Sequence, residues 1–395
     1  MNYTYVHIDC DTFFASCEVA TQPQLAGKPV VVCSPNDNGG GIILALTNQA
    51  KALGLKRGIP LFQAKDIINS NQVTLCVADH KKYHDISSRI MTLVREQGII
   101  LDFIQYSIDE FFGQMPITNP DELRFYTQKV KDLITQQVGV PVSCGCSQTY
   151  TLAKTATYFA KHHPGYKGIC VLPPEKRCIA LSNIAIGDVW GIGRQSLSKL
   201  TQLGITSALD FANKPEQFAQ QHLGTIGWRT HQEINGIPSI SLNTDDFQKS
   251  IMKSKTFGVM LKSLAELEHE IRFFSNICAT KLRQQHGLCA SVTVFLCTNR
   301  HRTDLPQYQN GYTTKLPTPT NDTAVIAHTA IAMLHSIYRP NYLYKQAGVG
   351  IGNITPDRGR QLDLFSTDDE RRQRLMQITD DINHRFGQGS ISFGK

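Results

Sequence analysis

The segment 106–112, YSIDEFF, places two adjacent carboxylates, Asp109 and Glu110, among apolar residues with no Lys or Arg beside them. Burying carboxylates is costly unless something neutralises them. A third acid, Asp9, closes the alternating stretch YVHID at 5–9. In that stretch Val6 and Ile8 share one face, and His7 and Asp9 the other. Three carboxylates gathered on one sheet face form a hard-oxygen site suited to Mg²⁺. Two such ions roughly 3.5–4 Å apart can clamp both oxygens of an in-line phosphoryl displacement. The competing reading is structural: Asp109 and Glu110 open a solvated hairpin, and Asp9 caps a following helix at Thr12. Asp9 at the matching position of a second strand favours the metal.

These acids need elements to position them. Residues 1–165 alternate strand-like and helix-like stretches. Strands are expected at 5–9, 29–33, 103–109 and 142–147, with 103–109 alternating so that Gln105, Ser107 and Asp109 face outward. Helices are expected at 49–54, 81–98, 122–139 and 151–163, several with a glycine stop. This order implies an α+β fold with a split βαβ antiparallel sheet, helices on one face and the other face open. The Gly/Pro-rich GYKGICVLPP at 166–175 marks a boundary. Residues 176–240 read as helical, 238–256 as polar linker, and 257–355 as a mixed domain with helices at 263–285 and 323–338 and strands at 290–297 and 345–352. The tail is polar except for QLDLF at 361–365, and a short helix is expected near 368–386.

The chain of 395 residues carries a net charge of +7. Residues 245–355 hold twelve Lys/Arg and seven Asp/Glu, a net of +5, so most of the excess lies there. That permits a polyanionic partner. No apolar run approaches the ~18–20 residues of a membrane span, and the N-terminus does not read as a secretory signal. The eleven cysteines are scattered mostly in apolar segments. They read as free thiols of a reducing cytosol, and the pair Cys144/Cys146 lacks a partner pair at zinc spacing. The expected location is cytoplasmic, at the nucleoid.

Read in order, HIDCDTFFASCE, GKPVVV, YSIDEFF and TLAKTATYFAK resemble the palm motifs of Y-family lesion-bypass DNA polymerases, most closely the UmuC type. The resemblance spans nearly the whole chain. It implies a right-hand polymerase with a ferredoxin-like palm (1–26 and 75–165), small fingers (27–74), a helical thumb with a helix-hairpin-helix (166–240), an α/β little finger (245–355) and a C-terminal tail (356–395). It also implies two Mg²⁺ ions held by Asp9, Asp109 and Glu110 with the Cys10 backbone carbonyl. Phe14, beside Phe13, matches the steric gate, since a ring there leaves no volume for a 2′-hydroxyl. Lys154 matches a lysine that reaches the triphosphate of the incoming dNTP. In the fingers, where many relatives carry Tyr and Arg, this chain has Asn48 and Lys51. Lys keeps the charge and loses the bidentate fork.

VWGIGRQSLSKLTQLGI at 189–205 carries a helix-hairpin-helix signature, in which Gly191 and Gly193 allow close backbone approach and Arg194 and Lys199 add charge. The contact it implies is with primer-template DNA, damaged DNA included, and reads no sequence. QLDLF resembles a sliding-clamp binding peptide anchored by Gln361, Leu362, Leu364 and Phe365, with Asp363 toward solvent. By the same resemblance the final segment, 366–395, holds a processed UmuD dimer, and a RecA filament is a further expected partner of the chain. The implied activity is error-prone translesion synthesis in the SOS response. No exonuclease-like acid cluster is visible, so proofreading is not expected. Two other readings stay open: a nucleotidyl cyclase on the same palm fold, and a clamp-tethered DNA-binding regulator with weak catalysis, motivated by Asn48 and Lys51.

Overall fold

The computed structural model describes residues 3–35, 41–242, 247–357, 370–387 and 390–391. It divides into two units, Met1–Thr244 and Asp245–Lys395.

In the first unit β1 (Thr4–Cys10) runs to Thr12, whose φ of 48° breaks the strand and lets α1 (Phe13–Thr21) begin. A small three-stranded sheet follows, from β2 (Val30–Cys33) and β3 (Ile43–Leu46), with the helices α2 (Asn48–Ala52) and α3 (Leu61–Ser70) and the strand β4 (Thr74–Val77). Its order is β3-β2-β4, around Val31, Ile43, Ala64 and Ile68. Because β4 pairs in parallel with β2, this sheet continues past the limit at 74 expected for the fingers.

The main sheet adds α4 (His80–Glu96), β5 (Leu101–Gln105), β6 (Glu110–Met115), α5 (Pro120–Val138), β7 (Val142–Ser147), α6 (Tyr150–His162) and β8 (Ile169–Val171). Strand order is β5-β6-β1-β7-β8. The first four strands are antiparallel, as in a ferredoxin-like βαββαβ unit. One face buries Val6, Ile8 and Phe111 against Ile86 and Ile90 of α4 and Val130 and Ile134 of α5. Burying such side chains supplies roughly 1.5–3 kcal/mol each.

Two expectations for this sheet are corrected. First, 103–109 is not one strand. Tyr106 and Ser107 both donate backbone N–H bonds to the Glu110 carbonyl at 2.9 and 3.1 Å, closing a hairpin. The apolar alternation runs on through a Ser-Ile-Asp turn whose local chemistry outweighs it. Asp109 and Glu110 therefore lead into β6 rather than end a strand. Second, the His7–Asp9 face is not wholly open. Helix α6 lies on it at Gly145, where an added Cβ would stand 2.2 Å from the Ala153 carbonyl oxygen and 2.3 Å from the Thr157 nitrogen.

The unit continues with α7 (Arg177–Ser182), α8 (Arg194–Gln202), α9 (Ala208–Ala212) and α10 (Glu216–Ile234), the last kinked at Gly224. Ile192, Leu200, Phe211 and Ile234 share a core with Leu152 and Ala156 of α6. The hairpin motif is preceded by a single 3₁₀ turn, Ile186–Asp188, rather than a full helix.

In the second unit β9 (Ile251–Leu261) precedes α11 (Leu264–Gln284), β10 (Gly287–Thr298), β11 (Gln309–Thr320), α12 (Thr323–Ile337), β12 (Tyr344–Gly352), the short β13 (Thr355–Pro356) and α13 (Glu370–Phe386). The sheet order is β11-β10-β12-β9, and both α11 and α12 pack on it through Ile271, Phe274, Ala330 and Leu334. The linker expected at 238–256 is thus partly strand. β9 is an edge strand whose polar residues disguise it: Ile251 and Phe257 enter the core while Met252 is exposed. Helix α13 is tied to α11 by Arg283, whose Nε lies 2.7 Å from Asp380 Oδ2.

Candidate active site

The acids meet because β1 and β6 are neighbours in register, with Asp9 opposite Glu110. The turn is pinned to β1 by the Cys10 N–H, which donates to the Asp109 carbonyl at 2.9 Å. The Ser107 hydroxyl donates to Asp109 Oδ1. His7, Asp9 and Glu110 each present a ligand atom, all within 4.8 Å of one another, a group that does not include Asp109. Asp109 lies close enough to act on the Asp9 charge.

Helix α6 brings two cations to the same place. Its N-terminus is seated by Thr149, whose Oγ1 accepts from Leu152 N–H at 3.2 Å, and by the buried Glu233, whose carboxylate accepts from Thr151 N–H at 2.9 Å. Glu233 also accepts from the Ser239 and Ile240 amides, so this fully buried acid is satisfied three times. One turn into α6, Lys154 Nζ donates to both Glu110 oxygens at 2.8 and 3.0 Å. Two turns further on, Lys161 Nζ pairs with Asp9 and lies 3.6 Å from Asp11. Ser143 Oγ donates to Asp11 at 2.9 Å.

Burial raises the Asp9 carboxyl and Lys161 lowers it. With Glu110 and Asp109 adding to the upward push, it settles at about 6. Burial pushes Lys161 down, but the Asp9 and Asp11 carboxylates outweigh it and the net shift is upward. Burial, then the Lys154 and Lys161 charges, hold the His7 imidazole well below its usual range, so the ring is neutral. These carboxylate oxygens are hard donors with ammonium groups already seated on them. The donor set therefore fits divalent cations.

The remaining expected residues are placed as follows. Phe13 is 4% exposed and packs in the core of the main sheet. Phe14 is half-buried and stacks on Tyr83, with ring centroids 4.4 Å apart. The Cys10 thiol is buried, leaving only its backbone near the acids. Asn48 opens α2 and Lys51 lies in its last turn; both are exposed, and Lys51 Nζ donates to Asn48 Oδ1 at 3.3 Å. Gly191 has φ 91°, and a Cβ there would meet Thr230 Oγ1 at 2.5 Å. Gly193 is the N-cap of α8, with Arg194 and Lys199 exposed on that helix. Gln361, Leu362, Leu364 and Phe365 lie outside the described residues.

Sequence reasoning missed His7, Asp11, Lys161 and Trp190 as neighbours of the site. His7 shares the outward face of β1 with Asp9, two residues away, and Lys161 is seven residues beyond Lys154 on one helix face. Both spacings were visible. Trp190 was not: its Nε1–H donates to the Tyr106 hydroxyl at 3.2 Å, and its ring packs 5.4 Å from Phe112. Only the tertiary fold joins the 189–193 turn to the Tyr106–Glu110 hairpin.

Residues 8–158 match the impB/mucB/samB family and residues 248–364 its C-terminal domain. The chain is 31% identical over 395 residues to "Protein UmuC" of Salmonella typhimurium, covering 98% of this chain and 92% of that one. It is 27% identical over 287 residues to "DNA polymerase IV" of Streptococcus pneumoniae serotype 2, covering 71% of this chain and 78% of that one. Among solved structures, a Y-family DNA polymerase chimera of Dbh and Dpo4 superposes with a TM-score of 0.70 at 22% identity, covering 89% of this chain and 99% of that one. The "Insertion ternary complex of Dbh DNA polymerase" superposes at 0.57 and 21% identity, with the same coverage. These two likenesses bear on the fold. Among the described residues no helix is long and apolar enough to cross a membrane. The chain belongs to the impB/mucB/samB family, the UmuC-type Y-family DNA polymerases.

Proposed function

We propose that the chain is an error-prone, DNA-directed DNA polymerase of translesion synthesis in the SOS response, joining a dNTP to a primer 3′-hydroxyl without proofreading. The observation that carries this reading is the register of Asp9 against Glu110, with Asp109 tied beside them through the Cys10 amide. Asp9, Asp109, Glu110 and the Cys10 carbonyl would hold two Mg²⁺ ions. When bound, these supply Lewis-acid stabilisation of the phosphoryl oxygens and a more acidic 3′-hydroxyl.

The chain's own residues do the rest. Lys154 and Lys161 hold positive charge at the mouth of the carboxylate cluster, where a triphosphate's negative charge must come to rest. Phe14, braced on Tyr83, is the barrier to a ribose 2′-hydroxyl. Asn48 and Lys51 offer the triphosphate one charge and no bidentate fork, which supports loose selection of the incoming nucleotide.

The Gly191–Gly193 turn, with Arg194 and Lys199, suits sequence-independent contact with primer-template phosphates, and damaged templates fit the same grip. In the second unit Lys255, Arg283 and Arg302 pair with Glu270, Asp380 and Asp304, and Lys249, Lys253, Lys262, Arg300 and Lys315 are among the nine other basic residues of 245–355 that are candidates for the DNA backbone. By family likeness, the segment Gln361–Phe365 is assigned to the sliding clamp, the tail to a processed UmuD dimer, and the chain as a whole to a RecA filament. The setting is the nucleoid of the cytoplasm.

The test is Asp109→Ala in primer extension on a gapped template. Extension should disappear while DNA affinity stays near that of the parent. Equal loss of both would remove Asp109 from the metal site.

A further inference from the structure

His7 sits on the floor of the site with one ring nitrogen committed and the other open. Its Nδ1 lies 2.9 Å from Thr157 Oγ1, and that hydroxyl reaches the Ala153 carbonyl at 3.1 Å. If Thr157 spends its proton on Ala153, it accepts the Nδ1–H of His7, and the Nε2 lone pair is left facing the carboxylates. Nε2 is buried and has no hydrogen-bond partner, and it stands 3.9 Å from Glu110 Oε1. A buried acceptor aimed at a carboxylate is an unfavourable arrangement that a shared cation relieves.

We propose that His7 Nε2 is a nitrogen ligand and that His7, Asp9 and Glu110 form a site for a borderline transition-metal dication, of the class of Mn²⁺, Co²⁺ and Zn²⁺. The proposal rests on the reading that Asp9 and Glu110 bind metal, and it adds a donor that a pure Mg²⁺ site does not use. Ligands of one such ion stand roughly 3.4 Å apart at the tetrahedral angle and roughly 4.2 Å apart in trans. The 3.9 Å separation of Nε2 from Glu110 falls between these. The ligand atoms of the full set lie within 4.8 Å of one another.

Lys154, which now neutralises Glu110, has to withdraw as the ion enters. Thr157 supplies the outer hydrogen bond that fixes the ring's tautomer and orientation, as ligating histidines require. Imidazole nitrogen favours these metals over Mg²⁺, which keeps oxygen ligands and water. The chain thus carries a selectivity element that biases its metal site toward transition ions.

The experiment uses the chelator-stripped full-length protein, with Mn²⁺ as probe and pulsed electron spin resonance to detect a directly bound nitrogen. The parent should show nitrogen coupling that changes isotope pattern when histidine is ¹⁵N-labelled. His7→Gln should lose it, with Mn²⁺ affinity down about tenfold or more and Mg²⁺ affinity within about twofold. His7→Leu, which keeps the site apolar, should give the same result. Mn²⁺ bound in an Asp9-dependent manner without histidine coupling would overturn the His7 assignment and leave the polymerase reading intact. Absence of any binding that Asp9→Asn removes would overturn both. The parent spectrum alone decides the first point, so a variant that folds poorly does not rescue the idea.

Discussion

Gly145 offers the sharpest test of how the fold sets the site. It lies in β7, opposite His7, and α6 rests on it. A Cβ at this position would stand 2.2 Å from the Ala153 carbonyl oxygen, 2.3 Å from the Thr157 nitrogen and 2.6 Å from Thr157 Oγ1. Two of the three obstacles are backbone, so no side-chain rotation relieves them. To restore an ordinary contact near 3.4 Å, α6 must move by about 1 Å. That helix carries both Lys154 and Lys161, so both ammonium groups move with it.

Overpacking of this kind costs about 1–3 kcal/mol of stability, and a displacement of about 1 Å at a reacting centre costs about 10²-fold in rate. Gly145→Ala should therefore lower the unfolding midpoint and reduce kcat for single-nucleotide insertion by about two orders of magnitude. Gly113→Ala is the control. Its Cβ would meet the Ile100 Cγ2 methyl at 2.2 Å and the Leu101 carbonyl oxygen at 3.0 Å, on the opposite face of the sheet, away from α6. It should cost stability by a similar mechanism and leave kcat within a few-fold of the parent. If Gly145→Ala keeps both its melting temperature and its kcat, the seat of α6 does not govern the lysines and the reasoning fails.

Phe14→Ala should raise ribonucleotide incorporation in insertion assays with matched dNTP and rNTP; unchanged sugar selectivity would remove Phe14 as the gate. Replacing Leu364 and Phe365 together by Ala should cancel stimulation by the sliding clamp and spare basal extension, and surviving stimulation would place the contact elsewhere. The Asp9 carboxyl is raised from 3.8 to about 6 in the folded metal-free protein, so the folded state holds this proton more tightly than the unfolded chain. The stability Asp9 contributes is complete below about pH 3.8 and is lost as pH rises through about 6. With chelator present, the parent should lose stability relative to Asp9→Asn across that window; a pH-independent difference between their unfolding midpoints would contradict the shift.

The helices were the most legible elements. The apolar spacing of 81–98 and 122–139 became α4 and α5 within two residues at each end, because a helix declares itself through a periodic face and a cap. The Asp109–Glu110 pair was legible as chemistry but misplaced as structure. Its apolar alternation continued through a turn, and only the two N–H bonds into the Glu110 carbonyl reveal the reversal. β9 resembles a linker in sequence because an edge strand needs only a few inward residues, and its exposed positions carry polar side chains as a linker does.

By itself the sequence determined the inventory: which segments could be helices, which acids lacked neighbouring cations, and where the basic excess lay. It also contained the His7–Asp9 and Lys154–Lys161 spacings, since period-two and period-3.6 geometry are local properties of the backbone. Tertiary structure alone decided which cation meets which acid. Lys154 and Glu110 are 44 residues apart, and Lys161 and Asp9 are 152 apart. Those pairings follow from strand order and from the absence of a side chain at Gly145. Pairing across a sheet and packing of a helix on it are non-local, and no pattern along the chain encodes the distance between two segments that meet only after folding.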